Sequence, residues 1–262
     1  MKYALCYNPN IDSSKAAMQN LLSILEKYNE SVDILDIDNL KKGYDLVFVI
    51  GGDGTILKSA RFYSEYNTAI FGVNLGRLGF LSQAGGDNLE SAVGQILAGD
   101  YKIEKRIMLK SGNIVALNDF VVKGEDCSRL GGFLLEINGR FVCEYLADGL
   151  IISTPTGSTA YSMAAGGPIL TPELDNITII PICPHTFSAR PIVVSSNSKI
   201  AISSIKTSNF SVSADGQKSL SVTNKIVVGK SENCANLVLL KDNNFFTVLR
   251  TKLNWGTSPA NF

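Results

Sequence analysis

The apolar residues of this 262-residue chain change their spacing near Gly99, and this change is what most constrains the fold. Before Gly99, strand-like runs alternate with segments whose apolar residues recur at helical spacing, a pattern typical of a parallel, doubly wound α/β sheet. After Gly99, the apolar residues follow a period of two in short runs that Asn, Gly and Pro separate. The sequence therefore predicts an α/β domain with a parallel sheet, followed by a β-rich domain.

The predicted elements can be placed by residue number. In the α/β part we expect strands at 3–7, 32–37, 45–50 and 68–73, and helices at 13–28, after residue 55 and at 88–97. In the β-rich part we expect strands at 102–110, 114–123, 132–138, 140–147 and 148–153, one helical segment near 158–165, and short strands from 177 to 249. Asn138 and Gly139 predict a hairpin turn between two of these strands.

Charge and composition argue against several classes of protein. Lys and Arg total 24 against 24 Asp and Glu, and this balance is not that of a strongly basic nucleic-acid binder. No apolar run approaches the roughly 20 residues of a bilayer span, and the first residues lack a signal-peptide layout. The five cysteines are scattered without a CxxC pair, and His185 is the single histidine, which argues against a disulfide framework or a zinc site. We expect a cytoplasmic protein with reduced thiols and no nucleic-acid or membrane partner.

The sharpest local motif is the GGDGT turn from Gly51 to Thr55, which joins a buried strand to a helix. A helix amino terminus offers free N–H groups to phosphate oxygens, and glycines let the backbone approach an anion closely. Asp53 adds a carboxylate that could take a hydroxyl proton or face Mg²⁺. The motif indicates phosphate chemistry, yet it is not a Walker A loop, and Leu57 stands where a dinucleotide fingerprint has its third glycine. The alternative is a tight turn in which Asp53 only caps the helix.

A second glycine-rich turn, from Phe71 to Phe80, follows the next predicted strand, so we expect it to lie beside the first. Two neighbouring strand ends with glycine turns form a crevice, the usual ligand site of an open α/β sheet. Asn74 could hydrogen-bond a ribose or a base there, and Phe80 could stack on one. Loop packing explains both residues equally well.

Two adjacent polar residues, Asn118 and Asp119, interrupt an apolar strand-like run at 115–122. In a half-buried strand one of them must face the apolar side unless a ligand satisfies it. An amide and a carboxylate together can grip the vicinal diol of a sugar. The alternative is a bulge, or the end of a strand at an exposed edge.

The longest unusual segment, 148–168, leads from a strand into a turn of small hydroxyl residues, TPTGST, that begins a short helix. Its short donors and acceptors, together with the aromatic ring of Tyr161, suit a base and its ribose. Capping of a short helix by Ser and Thr explains most of the same residues.

Taken together, these motifs resemble the NAD kinase family from about residue 45 to Gln217: GGDGT, GxNxGxLGF, ND, and DGxxxSTPTGSTAY followed by GGP. GGDGT alone is shared with lipid kinases and phosphofructokinases, so the combination carries the resemblance. It implies a Rossmann-like α/β amino-terminal domain and a β-sandwich-like second domain. It also implies Mg²⁺-dependent phosphoryl transfer from ATP to the 2′-hydroxyl of the adenosine ribose of NAD by a homo-oligomer, usually a tetramer or dimer.

The resemblance also implies roles for single residues. It makes Asp53 the proton acceptor for the 2′-hydroxyl, with Mg²⁺ held mainly through the ATP phosphates rather than by protein ligands. The residues implied at the ATP phosphates are Gly51, Gly52, Gly54 and Thr55. Lys58, also implied at the nucleotide, matches a position that is commonly basic in the family. Those implied at NAD are Asn74 and Phe80 on the adenine side, Asn118 and Asp119 at a ribose diol, Asp148 at the nicotinamide amide, and Thr156, Thr159, Ala160 and Tyr161 at the adenine end. Cys183 and Gln217 match positions that reach the dinucleotide of a neighbouring subunit.

Two positions depart from the family pattern. Ala164 stands where many relatives have a Ser that touches the dinucleotide, and Leu146 stands where several have an Arg. Both changes remove polar contacts to NAD, and neither touches the implied chemistry. They therefore bear on the affinity for NAD and on the choice between NAD and NADH.

We expect residues 1–100, completed by 245–262, to form the phosphate-donor-binding domain, and residues 101–244 to form the NAD-binding and oligomerisation domain. Two other functions stay open from the sequence: a lipid or small-alcohol kinase that shares the GGDGT turn, and a non-catalytic sensor that binds NAD(P) without turnover. The sequence also leaves open whether the donor is ATP or polyphosphate and whether the acceptor is NAD or NADH.

Overall fold

The structure, a computed structural model, describes residues 1–76, 79–124, 131–205, 209–241 and 244–256. Cys127, and Arg77 and Leu78 of the second glycine turn, lie outside these ranges. The strands are β1 Tyr3–Tyr7, β2 Val32–Asp36, β3 Leu46–Ile50, β4 Ala69–Val73, β5 Ser82–Ala84, β6 Tyr101–Ser111, β7 Ile114–Ala116, β8 Asp119–Gly124, β9 Gly131–Ile137, β10 Arg140–Ala147, β11 Gly149–Ser153, β12 Asn176–Ile182, β13 Ile192–Ser195, β14 Ile200–Ser204, β15 Phe210–Ala214, β16 Lys218–Val222 and β17 Lys225–Leu240. The helices are α1 Asp12–Lys27, α2 Asp53–Tyr63, α3 Leu89–Leu97, α4 Tyr161–Ala164 and α5 Phe245–Leu253, with 3₁₀ turns at Ser64–Tyr66, Gly86–Asn88 and Thr156–Thr159.

The chain divides into two units. The first comprises Met1–Lys105 with the described part of Ala235–Phe262, and the second comprises Arg106–Cys234. The sequence had placed the divisions after residues 100 and 244. The observed divisions differ from the predicted ones because each observed division falls inside a continuous strand, β6 or β17. The spacing of apolar residues does not change within a strand, so it could not mark these points. None of the helices in the described ranges is both long and apolar enough to cross a membrane.

The first unit is built on a parallel sheet. Its strand order is β17-β4-β3-β1-β2, with the short β5 added beside β4, and each of these pairs is parallel. All five residues of β3 are buried, as are all five of β4, which suits strands in the middle of a sheet covered on both faces. Phe48 and Phe71 meet edge to face in the core with ring centroids 5.9 Å apart. The expected α/β unit is confirmed.

The end of the chain differs from the prediction of short strands up to residue 249. The strand β17 is a single long strand that ends at Leu240, and α5 follows. Asn244 caps this helix, because its side-chain Oδ1 accepts the N–H of Thr247 at 3.0 Å. Arg250 and Lys252 lie in the last turn, where positive charge is favourable. Asn244 and these basic residues are typical of a helix and could have predicted α5 from the sequence. The helix was missed because the strand pattern before it was extended to residue 249.

The second unit is an antiparallel β-sandwich, as the family resemblance implied. One sheet has the order β13-β12-β11-β8-β15-β16, and the other contains β10-β9-β14 and the first part of β17. Side chains from both sheets, among them Phe120, Phe133 and Ile200, form one apolar cluster between them. Asn138 and Gly139 both have positive φ angles in the β9–β10 turn, so the predicted hairpin is confirmed.

The predicted strand 114–123 is broken in the structure. The strand β7 ends at Ala116 and β8 begins at Asp119, so that Leu117 and Asn118 form a link between them. Along β8 the even-numbered Phe120 and Val122 belong to the sandwich core, whereas Val121 packs in a separate cluster with Ile151 and Ile180. Because successive strand residues face opposite ways, Asp119 and Lys123 share the face of Val121, outside the sandwich core.

Candidate functional site

The GGDGT turn lies where the sequence predicted it, at the end of β3 and the start of α2. Gly51 has a φ of +155°, and its N–H donates to the carbonyl of Val73 at the end of β4. A side chain at this position would overlap the side chain of Thr55, so only glycine fits. Gly52 and Gly54 are exposed at the start of this 11-residue helix, which is the end of a helix that favours a bound anion.

Asp53 is held by the second glycine turn. Its Oδ2 accepts the N–H of Phe80 at 3.0 Å, and its Oδ1 accepts the N–H of Leu81 at 3.2 Å. The backbone of Gly79 lies so close that a Cβ there would overlap the carboxylate. The helix cap is Gly52 and no side-chain cap is made, so Asp53 does not cap α2, and the capping alternative is wrong. The two glycine turns are therefore packed on one carboxylate.

The other residues predicted in this unit have partners within the protein. Asn74 holds its own loop: its Nδ2 donates to the carbonyl of Ala84 at 3.1 Å, and its Oδ1 accepts the N–H of Gly76 at 2.9 Å. Lys58 forms a surface ion pair with Asp38. The loop-packing interpretation of Asn74 therefore has direct support, and contacts of Asn74 and Lys58 with a nucleotide stay predictions.

Phe80 presents its ring near the carboxyl-terminal helix. The Nζ of Lys252, on α5, lies 6.0 Å from the ring centroid, at the outer limit of a cation–π contact. The ring is partly exposed and so is open to a stacking partner. Stacking of Phe80 on an adenine stays a prediction.

A cavity of about 420 Å³ lies in the second unit on the outer face of β8. Four predicted residues line it: Asn118 and Asp119 from the strand break, and Ala160 and Tyr161 from the segment after TPTGST. The remaining lining residues are Val121, Lys123, Ser211, Ser213, Asp215, Gly216 and Ser219. The structure thus brings two predicted motifs, about forty residues apart in the chain, into one cavity of ligand size that is lined mainly by polar residues.

Hydrogen bonds from Thr154 to the backbone of Leu117 and Asn118 join these two motifs. The carbonyl of Asn118 accepts the N–H of Thr154 at 2.9 Å, and Thr154 Oγ1 donates to the carbonyl of Leu117 at 2.6 Å. Gly157 packs directly on the carbonyl of Asn118, where any Cβ would clash. The TPTGST turn is therefore fixed against the break between β7 and β8, and glycine is required at 157 by close packing.

Asp119 is a buried carboxyl group next to a second carboxylate. Its exposed fraction is 4%. Burial, which disfavours the charged form, and the negative charge of Asp215 raise the pKa of Asp119 to about 7. A carboxyl group whose pKa lies near 7 can change its protonation state under physiological conditions. Such perturbed groups in cavities are concentrated at functional sites.

Tyr161 and Lys123 form the exposed side of the cavity. The Tyr161 side chain is 39% exposed, and the Nζ of Lys123 lies 5.5 Å from its ring centroid, a cation–π distance. An exposed aromatic ring offers a stacking surface for a base. The ammonium group of Lys123 places one positive charge at a cavity that also contains two carboxyl groups, those of Asp119 and Asp215.

The remaining predicted residues do not line this cavity. Thr156 is buried and accepts a hydrogen bond from Arg106 at 3.2 Å, and Thr159 Oγ1 donates to the carbonyl of Thr156 at 3.4 Å. Neither threonine caps a helix, because no side-chain cap bond is made at the start of the 3₁₀ turn Thr156–Thr159 or of α4. The predicted residues that are exposed elsewhere on the second unit are Asp148, Ala164, Cys183 and Gln217.

Sequence reasoning missed several residues that line the cavity. Lys123 could have been found, because a period of two places it on the face of Asp119. Ser211, Ser213 and Ser219 also alternate along their strands, but alternating serines are typical of any solvated strand face. Their place at the cavity depends on the pairing of β15 with β8.

The α/β unit with a glycine turn at a helix start, and the β-sandwich with a cavity lined mainly by polar residues, are the arrangement expected of a two-domain, nucleotide-binding phosphotransferase. Two family models match the chain: the ATP-NAD kinase N-terminal domain over residues 7–101 and the ATP-NAD kinase C-terminal domain over residues 117–240. The chain belongs to the NAD kinase family, and the resemblance seen in its motifs is confirmed.

Individual relatives agree with the family models. The NAD kinase of Clostridium botulinum (strain Loch Maree / Type A3) is 39% identical over 94% of this chain and 95% of that protein. The NAD kinase of Pseudomonas putida (strain GB-1) is 43% identical over 81% of this chain and 76% of that protein.

Solved structures agree with the fold. An NAD kinase from Archaeoglobus fulgidus, crystallised in complex with ATP, has a TM-score of 0.81 and 28% identity, covering 97% of this chain and 99% of that chain. A yeast NADH kinase in complex with NADH has a TM-score of 0.83 over 98% of this chain and 89% of that chain; at 24% identity it supports the fold alone. The two-domain fold expected from the sequence is that of this family.

Proposed function

We propose that the chain transfers a phosphoryl group from ATP to the 2′-hydroxyl of the adenosine ribose of NAD, giving NADP. It is an enzyme of the NAD kinase family. The observation that carries the detailed proposal is that one cavity is lined by four of the predicted residues, Asn118, Asp119, Ala160 and Tyr161. The residues that the resemblance implied at a ribose and an adenine are therefore close enough to bind one ligand.

Asp53 is the proposed proton acceptor. The N–H groups of Phe80 and Leu81 fix its orientation, and the start of α2 favours negative charge. A carboxylate placed beside a hydroxyl orients it and takes its proton as the new P–O bond forms. Phosphoryl transfer otherwise requires positioning and charge neutralisation, which the exposed backbone of the glycine turn supplies to phosphate oxygens.

Mg²⁺ is proposed to enter as part of the substrate, bound to the ATP phosphates. Within the described ranges, no group of three His, Cys, Asp or Glu side chains is placed to hold a metal ion. When bound, Mg²⁺ neutralises charge on the transferred phosphate.

The acceptor site is assigned to the cavity of the second unit. Asn118 and Asp119 are proposed to bind the ribose hydroxyls, because an amide and a carboxyl group offer both donors and acceptors. Tyr161 is proposed to stack on the adenine through its exposed ring. The proposal also includes a homo-oligomer, dimer or tetramer, in which Cys183 and Gln217 meet the dinucleotide of a neighbouring subunit, and a cytoplasmic location.

One coupled assay tests the proposed function. NADP production is measured with ATP and with polyphosphate as donor, each against NAD and NADH as acceptor. NADP or NADPH formation supports the proposal and identifies the donor and the acceptor. Tight NAD binding with no ADP produced would instead indicate a sensor, and phosphorylation of diacylglycerol or a sugar without NADP formation would indicate a lipid or small-alcohol kinase.

A further inference from the structure

A single carboxylate organises the break between β7 and β8. Asp215 Oδ2 accepts the N–H of Leu117 at 3.1 Å, and its Oδ1 accepts the N–H groups of Asn118 at 2.7 Å and of Asp119 at 3.3 Å. Buried N–H groups without a partner are costly, and a break in a strand creates them. The Asp215 side chain accepts three consecutive N–H groups. Two belong to Asn118 and Asp119, which are proposed to bind the ribose, and the third belongs to Leu117, the residue before them.

The backbone of Asp215 is fixed as well. Asp215 and Gly216 have φ angles of +51° and +63° in the tight turn between β15 and β16. The N–H of Asp215 donates to the carbonyl of Asp119 at 2.9 Å, and β15 pairs with β8. These bonds fix the position of the turn relative to Asp119. The backbone that carries the Asp215 carboxylate is therefore held against the strand that the carboxylate binds.

We propose that Asp215 is a positioning residue for the acceptor site: by binding three consecutive N–H groups, it holds the backbone in the conformation that presents the Asn118 and Asp119 side chains to the cavity. This inference rests on the proposed function, since it assigns the ribose to those two side chains. Asp215 itself also lines the cavity. However, both its oxygens are already engaged by the backbone, which favours an indirect role over binding the ligand.

Kinetics of Asp215→Asn test this role. The substitution keeps the shape of the side chain but replaces one acceptor oxygen with an NH₂ group, which faces a backbone donor. Since hydrogen bonds to charged groups contribute about 1.5–3 kcal/mol, we expect the KM for NAD to rise about tenfold to a hundredfold, with the KM for ATP within about twofold of wild type. Asp175→Asn is the matched control, because Asp175 is an exposed aspartate of the same unit whose partner is Lys230.

Two further readouts separate positioning from a general loss of structure. Amide hydrogen exchange at 117–119 should be faster in Asp215→Asn than in Asp175→Asn, while the core strands remain protected. The pH dependence of the KM for NAD should also move to lower pH in Asp215→Asn, because removing this negative charge lowers the pKa of Asp119. The other ionisable side chains that line the cavity are Lys123, on β8 like Asp119, and Tyr161, on α4. Both residues are retained in Asp215→Asn.

The outcomes are distinguishable. If wild type produces no NADP, the proposed function fails; if wild type is active and Asp215→Asn keeps its KM for NAD, only the positioning role fails. An equal rise of both KM values with general loss of protection would show a merely structural role. If Asp215→Asn does not fold, Asp215→Glu, which keeps the charge and displaces the carboxylate by one methylene, should give the same split between the two KM values, and an unchanged KM for NAD in that variant would overturn the proposal.

Discussion

Asp53 in the first unit and Asp119 in the second are both aspartates at the start of a secondary-structure element, but their surroundings differ. Asp53 is partly exposed at the beginning of a helix, and its two oxygens accept backbone N–H groups. Asp119 is buried at the beginning of a strand, and the nearest charge that affects it is another carboxylate. N–H donors and a helix start stabilise negative charge, whereas burial and a like charge oppose it.

The contrast suggests a division of labour between the two carboxyl groups. A proton acceptor must be held in a fixed orientation beside the hydroxyl, and the N–H groups of Phe80 and Leu81 hold the Asp53 carboxylate in this way. A group that only binds hydroxyls can serve in either protonation state, since the neutral acid also donates. The surroundings of Asp119 suit this second task, and because its pKa lies near 7 we expect the binding of NAD to depend on pH.

The largest effect is expected from a substitution that removes the carboxylate of Asp53. Asp53→Asn should keep the fold and lower turnover by roughly 10²–10⁴, the usual size of a general-base contribution. Asp12→Asn is the matched control, because Asp12 is likewise the first residue of a helix and its side chain is fully exposed. Steady-state turnover with saturating ATP and NAD checks this. Near-wild-type turnover in Asp53→Asn would remove the chemical role from this carboxylate.

A smaller effect on binding is expected at Asp119. Asp119→Ala should raise the KM for NAD about tenfold or more, and raise it more than the KM for ATP, because hydrogen bonds to a sugar diol are lost. Asp119→Glu keeps a carboxyl group and should retain more of the affinity for NAD than Asp119→Ala. Equal changes in both KM values would argue against a ribose contact.

The third prediction concerns stability against pH. The folded chain keeps a proton on Asp119 up to about pH 7, whereas the unfolded chain loses it near 3.8. Between these values the folded state binds more protons, so the free energy of unfolding falls as pH rises, by at most about 1.4 kcal/mol per pH unit. Asp119→Asn cannot ionise, and its stability relative to wild type should therefore increase between pH 5 and 7.

Chemical denaturation at several pH values measures this change, with Asp12→Asn as the control whose difference from wild type should stay constant. A constant difference for Asp119→Asn as well would show that Asp119 is ionised throughout. The contrast between the surroundings of Asp53 and those of Asp119 would then have no electrostatic consequence.

The smallest effect is expected at the surface of the first unit. Lys58→Ala and Asp38→Asn break the same exposed ion pair, so each should change the free energy of unfolding by no more than about 1 kcal/mol. If Lys58 meets the ATP phosphates, only Lys58→Ala should raise the KM for ATP, by severalfold. Equal KM values for ATP in the two variants would confine Lys58 to the ion pair.

Much of the fold could be predicted because local patterns determined it. The apolar runs that became β3 and β4, the glycine turn before α2 and the Asn138–Gly139 hairpin each depend on neighbouring residues only. The helix α5 was missed because a strand pattern ran up to it, although Asn244 and the basic residues of its last turn were visible. The polar residues Asn118 and Asp119 were recognised as an interruption of the apolar pattern. The sequence could not show that Asp215 binds their N–H groups.

The sequence by itself determined the family and the change in the spacing of apolar residues from a helical period to a period of two. It also determined the motifs proposed to bind phosphate, because all of these depend on residue type and order along the chain. Only the tertiary structure decided that Phe80 and Leu81 hold Asp53, that Gly157 packs on Asn118, and that Asp215 binds the N–H groups of 117–119. These contacts join residues up to about a hundred positions apart. They depend on which strands pair and in which register, and no local spacing of residues encodes that pairing.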